Sequence, residues 1–175
     1  MKKDRDSGAY HIYIMRHGIA EERGGKSAPD DAQRKLTAEG REKTREIAKG
    51  LKRVGFAVDW IVTSPLVRAV ETAELVRETL KLDASLDRCD ALRPGLSAAE
   101  LMKFLCKQPE RNRVLLVGHE PDLGFLAASL LGAGGEANLA FKKGGCCFIA
   151  VEQLPPRSPG ELVWWLAPRI LRALA

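Results

Sequence analysis

The sequence predicts an α/β fold: a single-domain, three-layer α/β/α sandwich around a mixed, mostly parallel sheet. Its 175 residues and 19.2 kDa are the size of one domain. Runs of β-branched and aromatic residues alternate with amphipathic stretches, an order typical of parallel strands joined by helices. Two apolar runs near the C-terminal end predict a closing hairpin, which makes the sheet mixed.

Five strands are predicted, at residues 10–15, 60–63, 114–117, 147–152 and 162–166. The run 114–117 is apolar throughout, as in a strand buried on both faces. The last two strands should form the hairpin, turning across residues 155–160. Residues 1–9 are polar, and we expect them to be disordered before a single domain at 10–175.

Four helices are predicted between these strands. The first runs from Thr37, as N-cap, to residue 54, and follows a charged loop at 21–35. Ser64 as N-cap and Pro65 at the first helical position predict the start of the second. A capping box at Ser97 opens the third, and residues 121–131 form the fourth.

Composition excludes several classes of function. The net charge is +5 and the pI is 9.1, but basic and acidic residues are interspersed, which argues against nucleic-acid binding. No apolar stretch is long enough to span a membrane, and the first residues lack the apolar core of a secretion signal, so we expect a cytoplasmic protein. The four cysteines form no C-x-x-C pair, which argues against a zinc site.

Basic side chains follow three of the predicted strands. Arg16 and His17 end the first, Arg68 lies in the first helical turn after the second, and His119 follows the third. Ligands of open α/β sheets bind at the carboxyl ends of strands, so these residues should converge on one crevice. Arginine forks and helix N-termini suit a tetrahedral anion such as phosphate.

Arg68 is the sharpest of these signals. A cation in the first turn of a helix opposes the helix dipole at a cost of about 0.3–1 kcal/mol. Its side chain leans back toward the helix start. An anion bound at the helix start would explain why an arginine stands at position 68. The alternative interpretation is that Arg68 is a salt-bridged surface residue.

The motifs resemble those of the histidine phosphatase superfamily, and of its SixA-type phosphohistidine phosphatases in particular. The resemblance covers residues 10 to 170 in order. Its segments are Met15-Arg16-His17-Gly18, Leu36-Thr37-Ala38-Glu39-Gly40, Thr63-Ser64-Pro65-Leu66-Val67-Arg68-Ala69-Val70-Glu71-Thr72, Val117-Gly118-His119-Glu120-Pro121 and Trp164-Trp165-Leu166-Ala167-Pro168.

This resemblance implies that His17 is a transiently phosphorylated nucleophile. It also implies that Arg16, Arg68, His119 and Gly18 bind the phosphoryl group, with no metal and no cofactor. An imidazole can attack phosphorus when one nitrogen is unprotonated and the other is held, and we expect a backbone carbonyl in the loop after Gly18 to hold it.

At the positions where members of the family carry a proton-donating acid, this sequence departs from the family's pattern. Ala91 stands where larger relatives carry a glutamate, and Ile19 stands where SixA-type members often carry an acid. Asp90 and Glu21 are the nearby candidates, although solvated loop carboxylates are the alternative reading of both.

The resemblance and the weak donor together favour phosphohistidine on a protein partner as substrate. A leaving imidazole needs less protonation than the alkoxide of a phosphomonoester, and a short chain leaves the pocket open. The alternatives are a phosphatase of small phosphorylated metabolites and a non-catalytic phosphoprotein-binding module. We expect a monomer that binds neither nucleic acid nor membrane.

Overall fold

A mixed six-stranded sheet forms the centre of the protein in a computed structural model that describes residues 10–24, 30–95, 97–134 and 137–175. The predicted disordered segment 1–9 lies outside the described residues. The strands are β1 (Tyr10–Arg16), β2 (Trp60–Thr63), β3 (Ser85–Arg88), β4 (Arg113–Gly118), β5 (Cys146–Val151) and β6 (Glu161–Leu166).

The strand order is β3-β2-β4-β1-β5-β6, and it confirms the mixed, mostly parallel sheet. β3, β2, β4 and β1 pair in parallel, whereas β5 is antiparallel to β1 and to β6. The predicted closing hairpin is therefore present. The carboxyl ends of β1, β2 and β4 lie side by side in the middle of the sheet.

Helices cover both faces of the sheet and make three layers. They are α1 (Ala38–Arg53), α2 (Val67–Leu80), α3 (Ala98–Leu105), α4 (Asp122–Leu130) and α5 (Pro168–Ala173). Tyr13 and Met15 of β1 pack with α1, α2 and α5. Ile12 and Ile14 point to the opposite face and pack with α3 and α4. None of the described helices is long and apolar enough to cross a membrane.

One strand and one α-helix were not predicted, and neither were the short 3-10 helices Asp31–Gln33 and Asp90–Leu92. β3 carries a single aliphatic residue, Leu86, and lies half exposed at the sheet edge, so its sequence lacks the apolar alternation of a strand. α5 has six residues and no side-chain cap.

The predicted cap of α2 is wrong. The helix begins at Val67 with Leu66 as N-cap, and no side chain caps it. Ser64 lies before the helix, where its Oγ accepts from the Leu66 amide at 3.3 Å. Thr37 and Ser97 do cap α1 and α3, accepting from the amides of Gly40 and Glu100.

Candidate active site

The strand-end residues singled out from the sequence meet at one point. Arg68 lies between the two histidines, with its Nε 3.2 Å from His17 Nε2 and its Nη2 3.4 Å from His119 Nδ1. The two imidazole centroids are 5.1 Å apart. All three side chains are buried. This convergence follows from topology, because β1 and β2 both pair with β4.

The loop after His17 is held by close backbone packing. A Cβ on Gly18 would lie 2.6 Å from Thr44 Oγ1, and a Cβ on Gly40 would lie 2.0 Å from the Ile19 carbonyl oxygen. Glycine at both positions lets α1 pack directly on the loop. The Gly18 amide also donates to Thr72 Oγ1 of α2 at 3.0 Å, so two helices fix the loop.

His17 has one nitrogen held and one facing its basic neighbours. Nδ1 lies 2.7 Å from the carbonyl oxygen of Gly18, which makes Nδ1 the protonated nitrogen. The expected carbonyl therefore belongs to Gly18 itself. Burial lowers the pKa of His17 to about 3, and the cationic side chains of Arg68 and Arg16 add to this effect. The imidazole is consequently neutral, and its unprotonated Nε2 accepts a hydrogen bond from Arg68 Nε at 3.2 Å.

His119 is held on both nitrogens. Arg68 Nη2 donates to Nδ1, and Nε2 then donates to Ser64 Oγ at 2.9 Å. Burial lowers the pKa of His119 to about 3, with Arg68 as the next cause. Ser64, assigned to a helix cap from the sequence, thus orients a site residue.

These depressed pKa values predict that both imidazoles stay neutral from pH 7 to about pH 4 in the ligand-free protein. NMR titration of the imidazole resonances, assigned with His17→Ala and His119→Ala, measures this directly. The unfolded chain takes up these protons near pH 6.5 and the folded chain only near pH 3. The free energy of unfolding should therefore fall as the pH drops through this window. Protonation midpoints above pH 6 in the folded protein contradict the prediction.

Arg16 carries an unused buried donor. Its Nη1 donates to the Phe141 carbonyl at 2.8 Å, and its Nε is buried without an acceptor among the described residues. This guanidinium N–H is therefore a donor that an anionic ligand in the site can use. The Phe141 amide in turn donates to Glu120 Oε1 at 3.1 Å, so Glu120 holds the peptide that orients Arg16.

Asp31 was not anticipated from the sequence. Its carbonyl oxygen accepts from Arg68 Nη1 at 2.6 Å, and its carboxylate accepts from Arg68 Nη2 at 3.1 Å. Burial alone would raise the pKa of Asp31, but Arg23, Arg68 and Arg34 hold it at about 2. The carboxylate is therefore a permanent anion that orients Arg68.

A cavity of about 490 Å³ opens over these residues. Five cationic side chains line it, namely Arg16, Arg23, Arg34, Arg68 and Lys143, against the three carboxylates Glu21, Glu22 and Glu120. The excess of cations favours an anionic ligand.

The candidate proton donors differ in their placement. Glu21 lines the cavity, and its Oε2 accepts from the Lys35 amide at 3.1 Å. Asp90 lies on the surface with an 83% exposed side chain and pairs with Arg93. Glu120 also lines the cavity, and burial raises its pKa. Glu120 was not singled out as a proton donor from the sequence, although it directly follows His119.

The fold and the site define an α/β protein with a neutral imidazole beside a cavity whose lining has an excess of cationic side chains. Residues 12–93 match the family model of the histidine phosphatase superfamily, branch 1. The chain belongs to this superfamily and is a phosphatase.

Proteins named phosphohistidine phosphatase and others named serine/threonine-protein phosphatase are among the relatives. The chain is 29% identical to phosphohistidine phosphatase SixA of Escherichia coli, over 90% of this chain and 93% of that protein. It is 32% identical to a SixA homologue of Haemophilus influenzae, over 70% of this chain and 77% of that protein. A solved structure of the protein histidine phosphatase SixA with tungstate is similar with a TM-score of 0.77 and 27% identity, over 92% of this chain and 99% of that one.

Proposed function

We propose that this phosphatase hydrolyses phosphohistidine on a phosphorelay or phosphotransfer protein, with His17 as the nucleophile. The observation that carries the proposal is the state of the His17 imidazole. It is neutral, its Nδ1 proton is held by Gly18, and its Nε2 faces Arg68 at the cationic cavity.

In the first step, His17 Nε2 attacks phosphorus in line. A new N–P bond forms as the P–N bond of the substrate breaks, and its electron pair goes to the leaving imidazole nitrogen, which takes a proton from solvent water. Arg16 and Arg68 stabilise the charge on the equatorial oxygens in the transition state. The unpartnered Nε of Arg16 supports this role.

In the second step, water attacks the phosphorus of phospho-His17. The N–P bond breaks, its electron pair returns to Nε2, and inorganic phosphate leaves. His119 and the Gly18 loop complete the phosphoryl-binding pocket. The hydrogen bond that His17 Nδ1 donates to the Gly18 carbonyl persists through both steps and keeps the imidazole in one orientation.

The chemistry of the leaving group supports phosphohistidine over a phosphomonoester. An alkoxide needs a proton from a general acid, and such help is worth about 10²–10⁴-fold. Asp90 is exposed and paired with Arg93, and Glu21 Oε2 accepts from a backbone amide. Glu120 has a raised pKa, but its Oε1 accepts from the Phe141 amide. A leaving imidazole has a near-neutral pKa and depends less on such a donor. The SixA relatives support the same choice.

A side-by-side hydrolysis assay in EDTA tests this proposal. The substrates are a histidine phosphotransfer domain phosphorylated on histidine, free phosphoimidazole, and a panel of phosphomonoesters. We expect the highest kcat/KM for the phosphorylated domain, and no loss in EDTA because arginines neutralise the phosphoryl charge.

Two results would contradict the proposed substrate or the proposed mechanism. A tenfold or greater preference for a phosphomonoester would make a phosphorylated metabolite the substrate. Loss of activity in EDTA, restored by magnesium or zinc, would contradict charge neutralisation by arginine.

A further inference from the structure

A second hollow lies beside the catalytic cavity. It has a volume of about 200 Å³ and is lined by the start of α4, including Pro121 and Phe125, and by residues 137–139. Glu120 lines both the hollow and the cavity, so the two adjoin. A molecule larger than a metabolite that places a phosphoryl group in the cavity can reach the hollow.

Phe125 is the notable side chain of this hollow. It is 60% exposed, whereas Leu123 and Leu126 on the same helix are buried in the core. The fold therefore does not use Phe125 for packing. The other large hydrophobic side chains exposed in the described residues belong to β6 and α5 (Leu162, Val163, Ile170 and Leu174), so Phe125 alone of this set lines the hollow beside the cavity.

The wall of the hollow is rigidly connected to the phosphoryl-binding residues. A Cβ on Gly124 would lie 2.0 Å from the Leu139 carbonyl oxygen, so α4 packs directly on the segment that forms the wall. Glu120 accepts a hydrogen bond from the Phe141 amide, and the Phe141 carbonyl accepts one from Arg16. Glu120 and the Phe141 peptide thus connect the wall of the hollow to Arg16.

The charge around the cavity complements a phosphorylated partner. Arg23 has a 71% exposed side chain, and Lys143 is also exposed. An exposed aromatic side chain beside a charged rim has the composition of a protein-binding surface.

We propose that the hollow at Phe125 docks the substrate protein. An apolar side chain of that protein, next to its phosphohistidine, packs on Phe125 while the phosphoimidazole enters the cavity. This inference rests on the proposed function and explains how a protein substrate is preferred over a free phosphorylated compound. The catalytic residues act equally on both, and only the protein reaches Phe125.

Phe125→Ser tests the proposal with two substrates, the histidine-phosphorylated phosphotransfer domain and free phosphoimidazole. We expect kcat/KM to fall at least tenfold for the domain, mainly through KM, and to stay within twofold for phosphoimidazole. Phe125→Leu should restore most of the loss because it keeps an apolar surface. Leu162→Ser, a change of similar exposure on β6, is the matched control and should alter neither substrate.

The other outcomes are distinct. Equal losses on both substrates, or no loss on either, would overturn the docking role of Phe125. A monomeric Phe125→Ser variant of a dimeric wild-type protein, measured by sedimentation, would make a second copy of the chain the occupant. If the wild type hydrolyses phosphomonoesters but neither phosphohistidine substrate, the proposed function itself fails.

Discussion

His17→Ala is expected to lower hydrolysis of phosphohistidine by about 10⁴-fold or more, because it removes the atom that forms the new bond to phosphorus. Binding of inorganic phosphate should persist through Arg16 and Arg68, measured by calorimetry. The variant should remain folded, since the buried imidazole makes side-chain hydrogen bonds only to Gly18 and Arg68 among the described residues.

His11→Ala is the matched control for this variant. His11 is the one histidine of the chain outside the site. It lies near the start of β1, whereas His17 follows the other end of that strand. Its loss should leave turnover close to that of the wild type. Appreciable activity in folded His17→Ala would mean that water attacks the substrate directly.

Arg68→Ala is the second large effect, with an expected loss in kcat/KM of about 10³-fold or more. The guanidinium group touches both histidines and is the most deeply buried cation of the cavity. Arg68→Lys should recover little, because an ammonium group cannot reproduce the planar fork. Steady-state kinetics on phosphoimidazole measure the loss without any contribution from protein docking.

Arg53→Ala controls for the loss of one positive charge. Arg53 is exposed in the last turn of α1, and its removal should leave kcat/KM within about twofold, as for a surface substitution. Thermal unfolding checks that Arg68→Ala is folded, since Asp31 keeps its contacts with Arg23 and Arg34. A loss of less than tenfold in folded Arg68→Ala would contradict the role assigned to this arginine.

Much of the site was predictable from the sequence because topology brings strand ends together. Arg16 and His17 end β1, and His119 follows β4, which pairs with β1 in parallel. Once the parallel sheet is inferred from the alternation of strands and helices, the meeting of these residues with Arg68 follows. The caps of α1 and α3 were equally predictable, because a helix cap depends on residues within one turn.

The supporting contacts were not predictable, since each depends on groups far apart in the chain. Arg16 donates to a carbonyl 125 residues away, and Ser64 meets His119 across 55 residues. The wrong cap at Ser64 has the same origin: the local pattern suits a cap, but the hydroxyl pairs with a histidine from another strand. Asp31 begins a short 3-10 helix, Asp31–Gln33, in a segment predicted as a loop, and the sequence there carries no signal for its contact with Arg68.

A covalent phosphate on His17 is the central intermediate of the proposed mechanism. Rapid quenching of the wild-type protein with a ³²P-labelled phosphohistidine domain, followed by peptide mapping, detects this intermediate directly. Transient label is expected on the peptide that contains His17, and no label is expected in His17→Ala. The label should be stable in base and labile in acid. Turnover of the substrate by the wild-type protein with no label at any time, or label on His11 or His119 instead, would contradict the proposed mechanism.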